Sequence, residues 1–198
     1  MFNKVILSVL CLLFSSNVVS KAVVINGHEI EVGPIVVNGS GCPAGTVTAT
    51  ATDDNENVVL LFSNYRAITN DANPVALSDC NIALPLSVEP GLSVGIVDID
   101  WRGTVVSAQG SFINFHREYF FSGSQGPNYD SNWNSAGFQN FFLNDDPVFA
   151  YYSECNGEPL IARADTVATV VGADSLFSLR SADVEARLIL HVEVIPCE

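Results

Sequence analysis

The chain is poor in positive charge, and beyond residue 22 it contains no lysine. Six arginines oppose 22 carboxylates there, and the whole sequence has a formal net charge of −14. A surface of this sign repels nucleic acids and anionic lipids. The composition therefore argues against a nucleic-acid partner and against electrostatic attachment to a membrane.

The sequence also lacks the short motifs that carry chemistry. It has no C-x-x-C pair for zinc and no G-x-S-x-G turn for a serine hydrolase. Two oxygen-rich segments, 53–57 and 144–146, have ligand types that suit calcium, but neither has the spacing of an EF-hand. Because Asn and Asp also favour turns, ordinary acidic turns are the preferred interpretation. We predict no catalytic residue, no metal and no cofactor.

The N-terminal stretch has the pattern of a secretory signal peptide. Lys4 precedes a short apolar run at 5–14, which is about half the length of a membrane-spanning helix. Cleavage is expected after Ser20 or after Ala22, and an uncleaved anchor is the alternative. We predict a signal peptide over 1–22 and one secreted, extracellular domain over 23–198.

Four cysteines remain after the signal peptide, namely Cys42, Cys80, Cys155 and Cys197. An even number of cysteines in an exported chain predicts two disulfide bonds. Three pairings exist for four cysteines. Pairing Cys42 with Cys80 and Cys155 with Cys197 is favoured, because each bond then closes a segment of a few consecutive strands.

The hydrophobic pattern has a period of two along most of the chain. Residues 46–52 alternate threonine with apolar residues, and Ile82, Leu84, Leu86 and Val88 share one face of a predicted strand. Asn26-Gly27 between apolar runs indicates a hairpin. Many short strands and few helical signals predict an all-β fold, a two-sheet antiparallel sandwich or jelly roll.

The region 122–147 is rich in Gly, Asn, Ser and aromatic residues and is predicted to be irregular. Long loops on a rigid sandwich often hold binding surfaces, and aromatic residues with Asn and Asp are typical of recognition sites. Tyr129, Trp133 and Phe138 are therefore the candidate ligand-binding residues. The alternative is that these rings cover one end of the core, with Phe141 and Phe142 among them.

Asp98 and Asp100 lie two residues apart and share one face of a predicted strand. Two carboxylates beside Trp101 are the residue types that cleavage of a glycosidic bond requires. The simpler interpretation is a solvated outer face of Asp98, Asp100 and Arg102, with Val97, Ile99 and Trp101 pointing inward.

Six short segments and the last cysteine carry a resemblance to a known family. They are Gly-Cys-Pro-Ala-Gly-Thr at 41–46, Cys-Asn-Ile-Ala-Leu at 80–84, Glu-Pro-Gly at 89–91, Trp-Arg-Gly at 101–103, Tyr-Phe-Phe-Ser-Gly at 119–123, Tyr-Ser-Glu-Cys at 152–155, and Cys197. In this order and spacing the chain resembles secreted fungal and bacterial proteins of domain-of-unknown-function family 4360. It departs from them at Leu77-Ser78-Asp79, where basic residues are common, and at Tyr152, where Trp is common. The resemblance implies export, two disulfides and an all-β domain, and no activity.

Together these features predict a non-enzymatic extracellular protein that binds a carbohydrate or a protein partner. A small extracellular glycan hydrolase is the second hypothesis, with Asp98 and Asp100 as its acids. The third is a structural component of a wall or filament that assembles by strand addition at a sheet edge.

Overall fold

The computed structural model describes residues 21–25, 27–52, 57–121, 124–146, 151–179 and 187–197. Residues 1–20 of the predicted signal peptide and residues 53–56 of the predicted acidic turn lie outside these residues, whereas Lys21, Ala22 and Asn57 lie in strands. The described part is built from strands alone, and it contains no helix with the length and apolar character of a membrane span.

Two antiparallel sheets make up the fold, which confirms the predicted all-β sandwich. Sheet A has the order β1-β2-β7-β13-β9-β10, with β3 paired to β7. Its strands are β1 (Lys21–Ile25), β2 (His28–Val32), β3 (Val36–Asn38), β7 (Val75–Ser87), β9 (Phe112–Phe121), β10 (Ser124–Trp133) and β13 (Leu160–Val171).

Sheet B is organised around its longest strand, β8 (Leu92–Ser107). It has the order β4-β5-β15-β8-β14-β6, and β11 and β12 pair with the other side of β8. Its further strands are β4 (Val47–Ala51), β5 (Asn57–Phe62), β6 (Arg66–Ile68), β11 (Gly137–Asp145), β12 (Tyr151–Tyr152), β14 (Leu176–Ser178) and β15 (Arg187–Pro196).

The alternation of apolar residues determines which face of each strand is buried, as the sequence predicts. In β13 every second residue from Leu160 to Val170 is buried, and the residues between them face outward. The β1–β2 hairpin closes with Ile25 opposite His28, and Gly27 has a φ of 82°, which glycine adopts at little cost. The predicted hairpin is confirmed, although Asn26 lies outside the described residues.

The space between the sheets is filled with side chains. Trp101 packs edge-on against Phe115 with ring centroids 5.3 Å apart, and Phe115 contacts Phe177 at 4.7 Å. An apolar void lined by Leu60, Leu84 and their neighbours has a volume of about 20 Å³. A space of this size holds about one water molecule, so it is too small to take a ligand.

Both favoured disulfide pairings are confirmed. Cys42 bonds to Cys80, and Cys155 bonds to Cys197, with Cα–Cα distances of 5.4 and 6.0 Å. The first bond is buried and joins the segment after β3 to the middle of β7. The second ties the segment after β12 to the end of β15, the last strand of the described chain.

The region predicted to be irregular is largely two regular strands, and that prediction is wrong. β10 forms an edge of sheet A, and β11 pairs with β8 at an edge of sheet B. The turn between Trp133 and Gly137 therefore crosses from one sheet to the other. Aromatic residues on β11 consequently alternate between the core and the solvent.

Arg117 and Asp145 carry a buried polar network between the sheets. The Arg117 guanidinium donates from Nε to Asp145 Oδ2 at 2.6 Å and from Nη2 to Oδ1 at 2.9 Å. The Tyr119 hydroxyl donates to the same carboxylate, and the Trp101 indole donates to the Tyr119 oxygen. Asn144 and Asp145 therefore end strand β11 instead of forming the oxygen-rich turn preferred at 144–146, and the Asp145 carboxylate is engaged inside the protein.

Candidate functional site

The outer face of sheet B presents a grid of polar and aromatic side chains, which we call the β8–β11 face. Its residues are Asp98, Asp100, Arg102 and Thr104 of β8, Phe138, Asn140, Phe142 and Asn144 of β11, and Arg187 and His191 of β15. Cross-strand pairing places Phe138, Asn140, Phe142 and Asn144 directly opposite alternate residues of β8. The rows follow one another about every 7 Å along the strands.

Two aromatic rings project from this face into solvent. Phe138 is 70% exposed and Phe142 is 56% exposed. They lie four residues apart on one side of β11, which places them about 13 Å apart. Asn140 lies between them and accepts a hydrogen bond from the Thr104 hydroxyl at 3.1 Å. Exposed phenyl rings separated by an amide side chain offer apolar contact area and hydrogen bonds side by side.

The carboxylates of β8 form a hydrogen-bonded cluster next to these rings. The Asn144 side-chain amide donates to Asp98 at 2.7 Å and to Asp100 at 2.9 Å. His191 Nε2 lies 3.0 Å from the second oxygen of Asp100. The amide therefore links the two carboxylates and fixes their orientation on the face.

The sequence predicts a solvated outer face for Asp98 and Asp100, and this cluster corrects that prediction. Asp98 and Asp100 do point outward, but Asp100 is only 5% exposed because Asn144 and His191 cover it. A register shift in the pairing of β15 with β8 places Val192 opposite Ile96 directly after His191 opposite Asp98. Ile96 and Ile99 therefore both reach the core, whereas Val97 is only half-buried, contrary to the strict alternation expected.

Asp98, Asp100 and His191 each offer one ligand atom, and these atoms lie within 4.8 Å of one another. The described residues thus include a set of oxygen and imidazole ligands able to hold a divalent cation. The hydrogen bonds of Asn144 and His191 already satisfy these carboxylates within the protein. In this arrangement the cluster acts as a fixed array of acceptors on the face.

Two arginines lie side by side in the next row. Arg102 and Arg187 are direct cross-strand partners, and both are half-buried. The Arg102 guanidinium stacks 5.0 Å from the centroid of the Phe142 ring. Among the described residues neither arginine forms an ion pair, since Asp100 is engaged by Asn144 and His191. The row therefore carries two neighbouring positive charges in a strongly acidic protein.

The three predicted ligand-binding residues have different environments. Phe138 belongs to the exposed face. Trp133 is half-buried against Phe141, 5.0 Å between ring centroids, and lines with Phe138 a surface groove of about 340 Å³. Tyr129 lies apart from both, because its ring packs edge-on against Tyr119 and its hydroxyl donates to the backbone oxygen of Asp146.

The environments of the two tyrosines keep their hydroxyls protonated. Burial, followed by the nearby Asp145 carboxylate, raises the pKa of Tyr119 well above its usual value. Partial burial, and then Asp145 and Asp146, also raise the pKa of Tyr129. Both hydroxyls therefore donate hydrogen bonds within the protein. The contacts of Tyr129 hold the fold together, and its hydroxyl is already used.

Phe142, Asn140, Asn144, Arg102, Arg187 and His191 were not identified as site residues from the sequence. A signal for three of these positions does exist, because Asn140, Phe142 and Asn144 alternate with the inward-facing Phe141, Leu143 and Asp145. The high Asn content of β11 argues against a strand and conceals this alternation. His191 and Arg187 lie about 90 residues from their partners on β8, a separation that no local pattern bridges.

The fold and the site define a disulfide-linked antiparallel β-sandwich with a polar and aromatic outer face. The model of the family described as domain of unknown function (DUF4360) matches residues 28–197, and the chain belongs to this family. An uncharacterized secreted protein of Arthroderma benhamiae is 22% identical over 180 residues, which cover 85% of this chain and 72% of that protein.

Two solved structures are similar over most of the chain. The carbohydrate-binding module TmCBM61 in complex with β-1,4-galactotriose is 10% identical, covers 83% of this chain and 89% of its own, and has a TM-score of 0.27. A family 11 carbohydrate-binding module from Clostridium thermocellum, in complex with a mixed-linked tetrasaccharide, is 10% identical. It covers 73% of this chain and 88% of its own, with a TM-score of 0.17.

Proposed function

We propose that this protein is exported and binds a glycan on the β8–β11 face without cleaving it. The observation that carries the proposal is the pair of exposed rings, Phe138 and Phe142, on one side of β11 beside hydrogen-bonding side chains. More than half of each side chain stays in water, so a large apolar area of both rings is open to a ligand. A sugar presents an apolar C–H face to such a ring and hydroxyl groups to its neighbours.

The polar groups of the face match the chemistry of a polyhydroxylated ligand. Asn140 and Asn144 carry side-chain amides, and Asp98 and His191 add polar atoms held in place by hydrogen bonds to Asn144 and Asp100. Such prearranged groups bind hydroxyls without the entropic cost of being ordered. The long side of the face, about 27 Å from Asp98 to Val106, fits an oligosaccharide better than a single sugar.

The same cluster favours binding over hydrolysis. A glycosidase needs one protonated carboxyl beside one ionised carboxylate, whereas Asn144 donates from one amide nitrogen to both Asp98 and Asp100. If the protein were a hydrolase, Asp100→Asn would abolish release of reducing sugars while the glycan still bound. We expect no release from the unmodified protein.

A glycan array probed with the secreted protein tests this function. Phe138→Ala and Phe142→Ala should each weaken binding to the best glycan by about tenfold or more, because each removes a stacking surface. Phe112→Ala is the matched control, since Phe112 is 43% exposed on the outer face of sheet A. It should leave binding unchanged. Equal binding by all three variants and the parent would overturn the assignment of the face.

A further inference from the structure

Arg102 and Arg187 form an arrangement that the fold itself does not explain. They are direct neighbours on adjacent strands, and like charges in this position repel each other. The Nε atom of each is buried and has no hydrogen-bond acceptor. Arg66 and Arg163 also lack ion pairs among the described residues, but both are exposed to water. Among the arginines that the structure describes, only Arg102 and Arg187 are therefore both partly desolvated and mutually repulsive.

From this row we infer that Arg102 and Arg187 bind an anionic substituent of the glycan, a carboxylate or a sulfate ester on one of its sugars. The inference rests on the proposed function and names the class of ligand, an acidic oligosaccharide. Two adjacent guanidinium groups offer parallel N–H donors that fit the oxygens of such a group. Binding the anion would remove the repulsion between the two arginines.

The ring of Phe142 orients this site. The Arg102 Cζ atom lies over this ring, 5.0 Å from its centroid, and this cation–π contact limits the movement of the guanidinium. The exposed part of the same ring is available to the sugar that carries the anion. A single sugar residue can therefore stack on Phe142 while its acidic group reaches the arginine pair.

The neighbouring carboxylates set the direction of the ligand along the face. Asp100 and Asp98 lie one and two rows beyond Arg102 and would repel the anion. An uncharged part of the oligosaccharide therefore lies over them. The acidic sugar is thus placed at Phe142 and a neutral sugar at Asn144 and His191.

The overall charge of the protein restricts the class of acidic oligosaccharide that can bind. A net charge of −14 repels a densely charged polyanion, whose other acidic groups would lie over acidic surface. The site therefore suits a sparsely charged oligosaccharide in which acidic and neutral sugars alternate or the acid is rare.

Calorimetric titration of the full mature protein tests the inference with three probes. These are an oligosaccharide containing one uronic acid, the same compound after reduction of its carboxyl group, and its sulfated analogue. We expect the acidic compound to bind about tenfold or more tightly than the reduced one. Arg102→Gln and Arg187→Gln should each remove this preference, and Arg163→Gln, the matched control on sheet A, should retain it.

The outcomes separate this inference from the proposed function. Equal affinity for the acidic and reduced compounds overturns the anion site and leaves glycan binding intact. Absence of binding to all three probes, and to every glycan of the array, overturns both. Tighter binding of the sulfated probe that is lost in the same variants supports the site and assigns sulfate as its anion. A thermal midpoint of Arg187→Gln at or above that of the parent confirms that this variant folds and that the repulsion was present.

Discussion

Arg117 of sheet A and Asp145 of sheet B form a two-point ion pair in the middle of the sandwich, and each side chain is 2% exposed. Arg117 also donates to the Phe115 carbonyl and to the Ser131 hydroxyl, and Tyr119 donates to Asp145. The network satisfies both charges and fixes β11 against β9. It thereby fixes which residues of β11 face solvent, and so positions Phe138 and Phe142.

Asp145→Ala should be strongly destabilising. The substitution leaves the Arg117 guanidinium buried without its counter-charge, which costs about 3–5 kcal/mol of unfolding free energy. Urea unfolding monitored by tryptophan fluorescence measures this loss. Asp146→Ala is the control, because Asp146 is exposed and the change should stay within about 0.5 kcal/mol.

The ion pair itself need not be stabilising relative to an apolar pair. Replacing both residues, as in Arg117→Met with Asp145→Leu, should recover most of the loss, since no uncompensated charge remains. A cost below about 1 kcal/mol for Asp145→Ala alone would show that the network does not hold the sheets together.

Asp165→Asn should stabilise the protein at neutral pH. Partial burial, and secondly the Glu118 carboxylate on the neighbouring strand, raise the pKa of Asp165 above its ordinary value of 3.8. A raised folded-state pKa means that stability is greatest below the unfolded value and is lost as pH rises through the folded value. Removal of the like-charge pair should add roughly 0.2–1 kcal/mol at pH 7.

Thermal unfolding between pH 3 and pH 7 measures this effect. The gain in thermal stability of Asp165→Asn over the parent should be small near pH 3 and should grow as the pH rises. Asp71→Asn, in an exposed turn, should follow the parent at every pH. An advantage that is constant over the whole range would show that ionisation of Asp165 is not its cause.

The alternation of β13 and the spacing of the cysteines made the sandwich and both disulfides predictable from the sequence. Strands β10 and β11 were not predictable, because their Asn, Ser and Gly residues have low strand propensity. Pairing of β10 with β9 and of β11 with β8 overrides this local preference. Likewise, Asp98 and Asp100 are two residues apart in the sequence, yet their environment depends on Asn144 and His191. Those partners reach them only through the order of strands in sheet B, which no local pattern encodes.

The two disulfides should differ in their resistance to reduction. Cys42 and Cys80 are fully buried, whereas Cys155 is exposed. Since exchange requires access of a thiolate to the sulfur, mild reductant should open Cys155–Cys197 first. Alkylation followed by mass spectrometry at increasing reductant concentration identifies the order. Release of Cys42 and Cys80 at the lowest concentration would contradict the buried position of that bond.

The mature protein should begin at Lys21 rather than at Val23. Strand β1 already includes Lys21 and Ala22, which pair with Val32 and Glu31 of β2. Cleavage after Ala22 removes Lys21 and Ala22, two residues that pair with β2, whereas cleavage after Ser20 keeps both. N-terminal sequencing of the exported protein distinguishes the two sites, and a Val23 terminus would contradict this prediction.

Chemical-shift mapping by NMR tests glycan binding on the β8–β11 face most directly. Titration of the labelled mature protein with its best oligosaccharide should shift the side-chain amides of Asn140 and Asn144 and the backbone of Arg102 and Phe142. The outer face of sheet A, including Phe112, should show no change. Shifts confined to sheet A, or spread evenly over both sheets, would contradict the assignment of the ligand to this face.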